Sequence, residues 1–279
     1  MFYAPRALLF AGIAFAAPTL IDRGTAVSAV SASTISTYAP YASFASAAYC
    51  STASTWTCAQ CKNLPGFVPY ATGGDGDAVP KWYVGWWPAQ STVVVGHQGT
   101  NPAQLESLLT DAEVLMDSLS TSLFPGVSSS VKAHDGFMKA QADTAVTILA
   151  GVKTLLATHS ASKVLTIGHS LGRKPSFGQP NRFYGMFVCS ISSRFSQITD
   201  FSYVTNEKDL VPILPGRFLG YVHPSGEKHI VAAGSWYACV GQDNTNVDCS
   251  TGAVPNILDG NTKDHAGPYD GVYIGSDYC

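Results

Sequence analysis

From residue 80 onward, apolar and polar positions repeat with two different periods. Trp82, Val84 and Trp86 occupy every second position, a Pro88-Ala89-Gln90 turn follows, and Thr92 to Val95 is a short, nearly unbroken apolar run. A period of two puts alternate side chains on one face of a strand, and a short apolar run bounded by turn residues reads as a buried strand. Asn101-Pro102 then opens a helix, with Asn as cap, Pro at the first helical position and Gln104 placed for a capping box. Leu105, Leu108, Leu109, Ala112, Leu115 or Met116, and Leu119 carry it on at helical spacing. Phe124-Pro125-Gly126 ends that region. Met138, Ala142, Ala145, Leu149, Val152 and Leu156 predict a second helix with one apolar stripe, and Lys163 to Ile167 predict a short buried strand after it. Strand, helix and strand in that order build a crossover unit and hence a parallel sheet, so the predicted class is α/β.

Composition agrees with one such domain. A chain of 279 residues that is 46% hydrophobic and 13% charged can bury a sizeable core and is too apolar to be disordered. The formal net charge is −3 with no run of Lys or Arg, which leaves no electrostatic footprint for nucleic acid or an anionic membrane. Any lipid contact must therefore be hydrophobic. At the start, the apolar run Ala7 to Ala16 with the small-residue site Ala14-Phe15-Ala16 reads as a secretory signal peptide over residues 1–17, too short to cross a bilayer. Residues 18–45, rich in Ala, Ser and Thr, read as a propeptide or flexible arm outside the fold, which leaves 46–279 as the domain. The seven cysteines fit export to an oxidising compartment, and a secreted monomer is expected. Their spacing suggests Cys58 with Cys61, Cys239 with Cys249 across a polar turn, and Cys50 with Cys279, leaving Cys189 over. Spacing alone does not decide the connectivity.

The predicted strand 163–167 runs straight into Gly168-His169-Ser170-Leu171-Gly172. Gly-x-Ser-x-Gly after a buried strand makes a sharp strand-to-helix turn, in which a Cβ at either glycine would clash and the serine is held strained above the strand end. A serine nucleophile needs a general base and a group that orients the base, and in this setting they follow in the order Ser, then Asp or Glu, then His. Asp209, in a polar loop after the predicted strand Phe201 to Thr205, and His265, in a loop rich in Gly, Asn and Asp, are the candidates. His223 and His229 flank a Pro224-Ser225-Gly226-Glu227 turn and read as structural. No His-x-x-x-His spacing with a carboxylate occurs, so no metal is expected, and acyl transfer through a serine needs no cofactor.

Taken together these residues resemble the fungal class 3 lipases and, beside them, the feruloyl esterases of the same fold. The matching text is Val-Val-Val-Gly-His-Gln-Gly-Thr at 93–100, Gly-His-Ser-Leu-Gly at 168–172, Val-Pro-Ile-Leu-Pro-Gly-Arg-Phe-Leu-Gly at 211–220, His-Pro-Ser-Gly-Glu at 223–227, and Asp264-His265 with Tyr269 after it. It covers most of residues 50–279. The resemblance implies an α/β-hydrolase fold, a mostly parallel central sheet with helices on both faces. It implies Ser170 as nucleophile, Asp209 as acid, His265 as base, and an oxyanion hole from Thr100 and the Leu171 amide. The three cysteine pairs resemble the family's disulfides, and the helix from Asn101 would form part of a lid. The implied function is that of a secreted triacylglycerol lipase hydrolysing carboxylic esters at an oil-water interface, with feruloyl esters as the alternative substrate.

One stretch departs from the family. After Gly172 the chain passes to Arg173-Lys174-Pro175-Ser176 and then Phe177-Gly178-Gln179-Pro180, so that on the order of two dozen residues, about one helix and one strand, are absent. Neighbouring strands lie roughly 4.8 Å apart, so losing one is expected to leave a gap or to move Asp209 by a strand's width. The expected outcome is a chain impaired in hydrolysis, whether a degenerate paralogue or the product of a skipped exon.

Overall fold

A computed structural model describes residues 25–99, 116–118, 132–170, 183–184, 201–214, 216–219 and 223–279. Its strands are β1 (Val27–Ala29), β2 (Val68–Gly73), β3 (Trp82–Trp87), β4 (Thr92–His97), β5 (Met116–Ser118), β6 (Lys132–His134), β7 (Lys163–Gly168), β8 (Phe183–Tyr184), β9 (Phe201–Asn206), β10 (Glu227–Ala232) and β11 (Ser235–Cys239). The principal helices are α1 (Ala39–Ala47) and α2 (Asp135–Thr158). One group of strands runs β2-β3-β4-β7 and the other β8-β9-β10-β11-β1, with β8 packed beside β7. Pairing is parallel at the centre, where β4 meets β7, β8 meets β9 and β9 meets β10, and antiparallel toward both edges. This is the α/β-hydrolase arrangement that the sequence leads one to expect.

Both faces of the sheet are covered. On one, Trp82, Val84, Val93 and Val95 pack against Ile148, Val152 and Leu155 of α2. On the other, Tyr83, Trp87, Val94 and Leu165 pack into a larger core with Phe44, Ala45 and Tyr49. The buried stripe of α2 differs from the predicted one, because Leu149 is largely exposed while Thr144, Ile148, Val152 and Leu155 face inward. Every residue in that stretch is close to another apolar one, so periodicity allowed more than one rotation of the helix, and the strand faces chose between them.

Two expectations need correction. Residues 18–45 were expected to lie outside the fold, yet from residue 25 the chain is part of it. β1 adds an antiparallel edge to β11, pairing Val27 with Cys239 and Ala29 with Tyr237. α1 buries Phe44 completely, its ring 5.1 Å from those of Phe67 and Trp87. Ala- and Ser-rich composition resembles a linker, but small residues are also what allows a helix to sit close to a sheet. Phe44→Ala is expected to lower unfolding free energy by about 3–5 kcal/mol in urea titration; an unchanged midpoint would show that α1 is dispensable. Second, the helix predicted from Asn101 does not reach Leu119. Met116–Ser118 is a strand paired with Lys132–His134, and residues 101–115 lie outside the described ones.

After the Gly-x-Ser-x-Gly turn, β7 and β8 lie side by side, with no ladder of hydrogen bonds between them among the described residues. β8, only two residues long, lies near β7 and pairs in parallel with β9, Phe183 opposite Phe201. Asp209 nevertheless reaches His265, at 2.8 Å. Residues 171–182, which follow the turn, lie outside the described ones.

Disulfides join Cys50 to Cys279, Cys58 to Cys61 and Cys239 to Cys249. Cys189 lies outside the described residues. Among the described residues, no helix is long and apolar enough to cross a membrane.

Candidate active site

Ser170 ends the turn after β7 with a φ of 55°, in the left-handed region that a residue with a Cβ adopts only under constraint. The turn is tight because Gly99, from the loop after β4, presses on it. A Cβ on Gly99 would stand 2.3 Å from the His169 carbonyl oxygen and 2.7 Å from the Ser170 Cβ. Only a hydrogen fits there. Ser170 is 2% exposed, and its hydroxyl makes no hydrogen bond among the described residues.

Asp209 follows β9 by way of Glu207, itself at a φ of 40°. The loop that carries His265 is laced to this one. The Leu210 amide donates to the Asn261 carbonyl at 3.1 Å and the Asn261 amide donates to the Lys208 carbonyl at 2.8 Å. The Asp264 carboxylate accepts from the Lys208 amide and from Asn261 Nδ2, each at 3.0 Å, while Asn206 Nδ2 donates to the Asp264 carbonyl at 2.8 Å. Two loops that are 56 residues apart thus act as one platform. On it, His265 Nδ1 donates to Asp209 Oδ2 at 2.8 Å, and Asp209 Oδ1 accepts from the Val211 amide at 2.9 Å.

With its hydrogen on Nδ1, a neutral His265 keeps Nε2 as its basic nitrogen. Burial pushes the Asp209 carboxyl above its ordinary value, and the His265 imidazole and the Val211 amide draw it back. The structure thus brings together the sequence candidates Asp209 and His265, with Ser170 next to His169, whose ring lies 4.4 Å from that of His265. Thr100 and Leu171, expected at the oxyanion hole, lie outside the described residues.

Tyr49 carried no signal of its own, and the motifs that contain His169 and Tyr269 gave neither of them a role. The Tyr49 hydroxyl donates to His169 Nδ1 at 2.8 Å, His169 Nε2 donates to the His265 carbonyl at 2.7 Å, and the Tyr269 hydroxyl donates to the same carbonyl at 3.1 Å. Tyr49 is 120 residues from His169, and nothing local in either segment announces the pairing.

His223 and His229 have other partners, as their position beside a turn suggested. His223 Nδ1 meets Asp243 Oδ1 at 2.5 Å. His229 on β10 meets the Thr205 hydroxyl on β9 at 2.6 Å, and that hydroxyl also reaches Glu227 at 2.8 Å. Among the described residues, the one cluster of metal-ligand types is Glu227 with Cys239 and Cys249, whose sulfurs are spent on a disulfide.

Burial, with Lys208 nearby, lowers the His229 pKa from 6.5 to about 4. A folded-state pKa below the unfolded one contributes stability that is complete above pH 6.5 and is lost as pH falls through 4, here on the order of 3 kcal/mol. Glu227, raised by burial, has the opposite sign, so wild type must be compared with His229→Gln. Urea unfolding at pH 7 and pH 4 is expected to show the smaller acid loss in the variant; parallel pH curves would sink the assignment.

The fold and the strained serine turn define the class, an α/β-hydrolase of the serine carboxylic ester hydrolase kind. A family model described as Lipase (class 3) matches residues 94–173. A secreted mono- and diacylglycerol lipase of Malassezia globosa, MDL2, is 28% identical over 228 residues, covering 74% of this chain and 72% of that protein. Among solved structures, lipase II from Rhizopus niveus superposes with a TM-score of 0.74 at 22% identity, over 90% of this chain and 99% of that one. The Rhizomucor miehei triacylglyceride lipase gives 0.75 at 21% identity, also over 90% and 99%. In sequence and in fold the chain is thus similar to the fungal class 3 lipases.

Proposed function

We propose that the protein is a secreted acylglycerol lipase in which Ser170 is the nucleophile, His265 the general base and Asp209 the group that orients the base. The observation that carries this reading is the 2.8 Å bond from His265 Nδ1 to Asp209 Oδ2, on a platform next to a serine held at positive φ. His265 Nε2 takes the Ser170 proton as the hydroxyl attacks the ester carbonyl, and the resulting imidazolium then protonates the leaving alcohol. Water reverses the sequence on the acyl-enzyme. The Thr100 and Leu171 amides would hold the oxyanion, in keeping with the family pattern.

Sequence relatives, named as mono- and diacylglycerol lipases, resemble this chain more than the triglyceride lipases of known structure do, which favours partial glycerides over triglycerides. The same relatives are named as secreted, which supports cleavage of residues 1–17 during export. A fluorophosphonate probe is expected to label Ser170, and the enzyme is expected to hydrolyse emulsified diacylglycerol faster than methyl ferulate. Folded protein that remains unlabelled overturns the catalytic reading; a preference for methyl ferulate overturns the substrate.

A further inference from the structure

The geometry points to Tyr49 and His169 as positioning residues, a buried strut that ties the loop after β4, the nucleophile turn and the backbone of the general base into one unit. The hydrogens on this strut follow from chemistry. A carbonyl oxygen only accepts, so the 2.7 Å contact between His169 Nε2 and the His265 carbonyl puts the hydrogen on Nε2. Nδ1 of a neutral imidazole then accepts, and its partner at 2.8 Å, the Tyr49 hydroxyl, must donate. The tyrosine oxygen in turn packs against Gly99, where it would stand 2.6 Å from an added Cβ. The hydrogen-bonded chain thus runs from Tyr49 through His169 to His265, both links directed one way, with Gly99 packed against its start.

Three further observations fit a strut. All its side chains are buried, with His169 3% and Tyr49 2% exposed. Burial holds the His169 pKa well below its ordinary value and the Tyr49 pKa well above its own, so neither gains or loses a proton in the working range. An uncharged His169 matters because the two imidazoles lie 4.4 Å apart and the base must itself become positive during turnover. Finally, both ends of the strut are anchored. Tyr49 precedes the bridged Cys50, Lys81 Nζ donates to the Tyr49 carbonyl at 3.1 Å, and Tyr269 shares the His265 carbonyl with His169. Asp209 orients the ring of the base, whereas the strut sets where the base stands relative to Ser170.

This inference rests on the catalytic reading above, and the experiment separates the two. Wild type, His169→Leu, His169→Gln and Tyr49→Phe are compared on a water-soluble p-nitrophenyl ester and by their rate of fluorophosphonate labelling. Gln can place an amide N–H near the position of Nε2, whereas Leu fills the space and donates nothing. His169→Leu is expected to lower kcat and the labelling rate by about 100-fold with KM unchanged, since a displacement of about 1 Å in a reacting geometry costs that much. His169→Gln is expected to recover at least about ten-fold of it, and Tyr49→Phe to lose about ten-fold. If His169→Leu does not fold, Tyr49→Phe and His169→Gln still decide. Wild-type labelling with equal kcat in all variants, or Gln no better than Leu, overturns the strut; an unlabelled wild type overturns the catalytic reading instead.

Discussion

Asp209→Asn is expected to lower kcat by about 10⁴-fold while leaving the fold and KM close to those of the wild type. The carboxylate accepts twice, from His265 Nδ1 through Oδ2 and from the Val211 amide through Oδ1. An amide has one oxygen. If that oxygen stays with Val211, the NH₂ group faces His265 Nδ1 and forces the imidazole hydrogen onto Nε2, the nitrogen that must take the serine proton. If the amide turns over, the buried Val211 N–H is left facing a second donor at a cost of about 1–3 kcal/mol, so the harmful orientation is the stable one. Steady-state kinetics on a soluble ester at pH 8, with circular dichroism to confirm the fold, would measure this. A loss below about ten-fold would mean that Asp209 does not set the tautomer of His265, and the roles assigned to both would fall.

The second large effect concerns stability. Cys50 and Cys279 are separated by 229 residues, so their bridge closes nearly the whole described chain into a loop. The chain-entropy model assigns such a closure about 5 kcal/mol, a large share of the roughly 5–15 kcal/mol typical of a domain. The bridge also stands next to Tyr49, so losing it should loosen the strut as well as the termini. The double variant Cys50→Ser with Cys279→Ser is expected to unfold at markedly lower urea concentration and to lose activity before its global transition. Coincident loss of activity and structure would confine the bridge to a general role, and an unchanged midpoint would remove even that.

By itself the sequence was enough for the class of fold and for the candidates Ser170, Asp209 and His265. The reason is that these rest on local patterns. A buried strand followed by Gly-x-Ser-x-Gly is a signal contained in about ten contiguous residues. Strands β4, β7 and β9 are short apolar runs ending in polar loops, and chain order alone supplies the sequence nucleophile, acid, base. Three things required the tertiary structure. The rotation of α2 was set by which of its apolar residues found partners on β3 and β4, which left Leu149 outside. The membership of residues 25–47 depended on long-range partners, since β1 gains its hydrogen bonds from β11 and Phe44 gains its burial from Phe67 and Trp87. The consequence of the shortened segment after Gly172 was likewise non-local, because β8 finds its parallel partner in β9, at Phe201 and Ser202. The strut follows the same rule. Tyr49 has no chemistry written in its neighbours, and it acquires a role only because folding carries its hydroxyl across 120 residues to a ring nitrogen that has a single lone pair to offer.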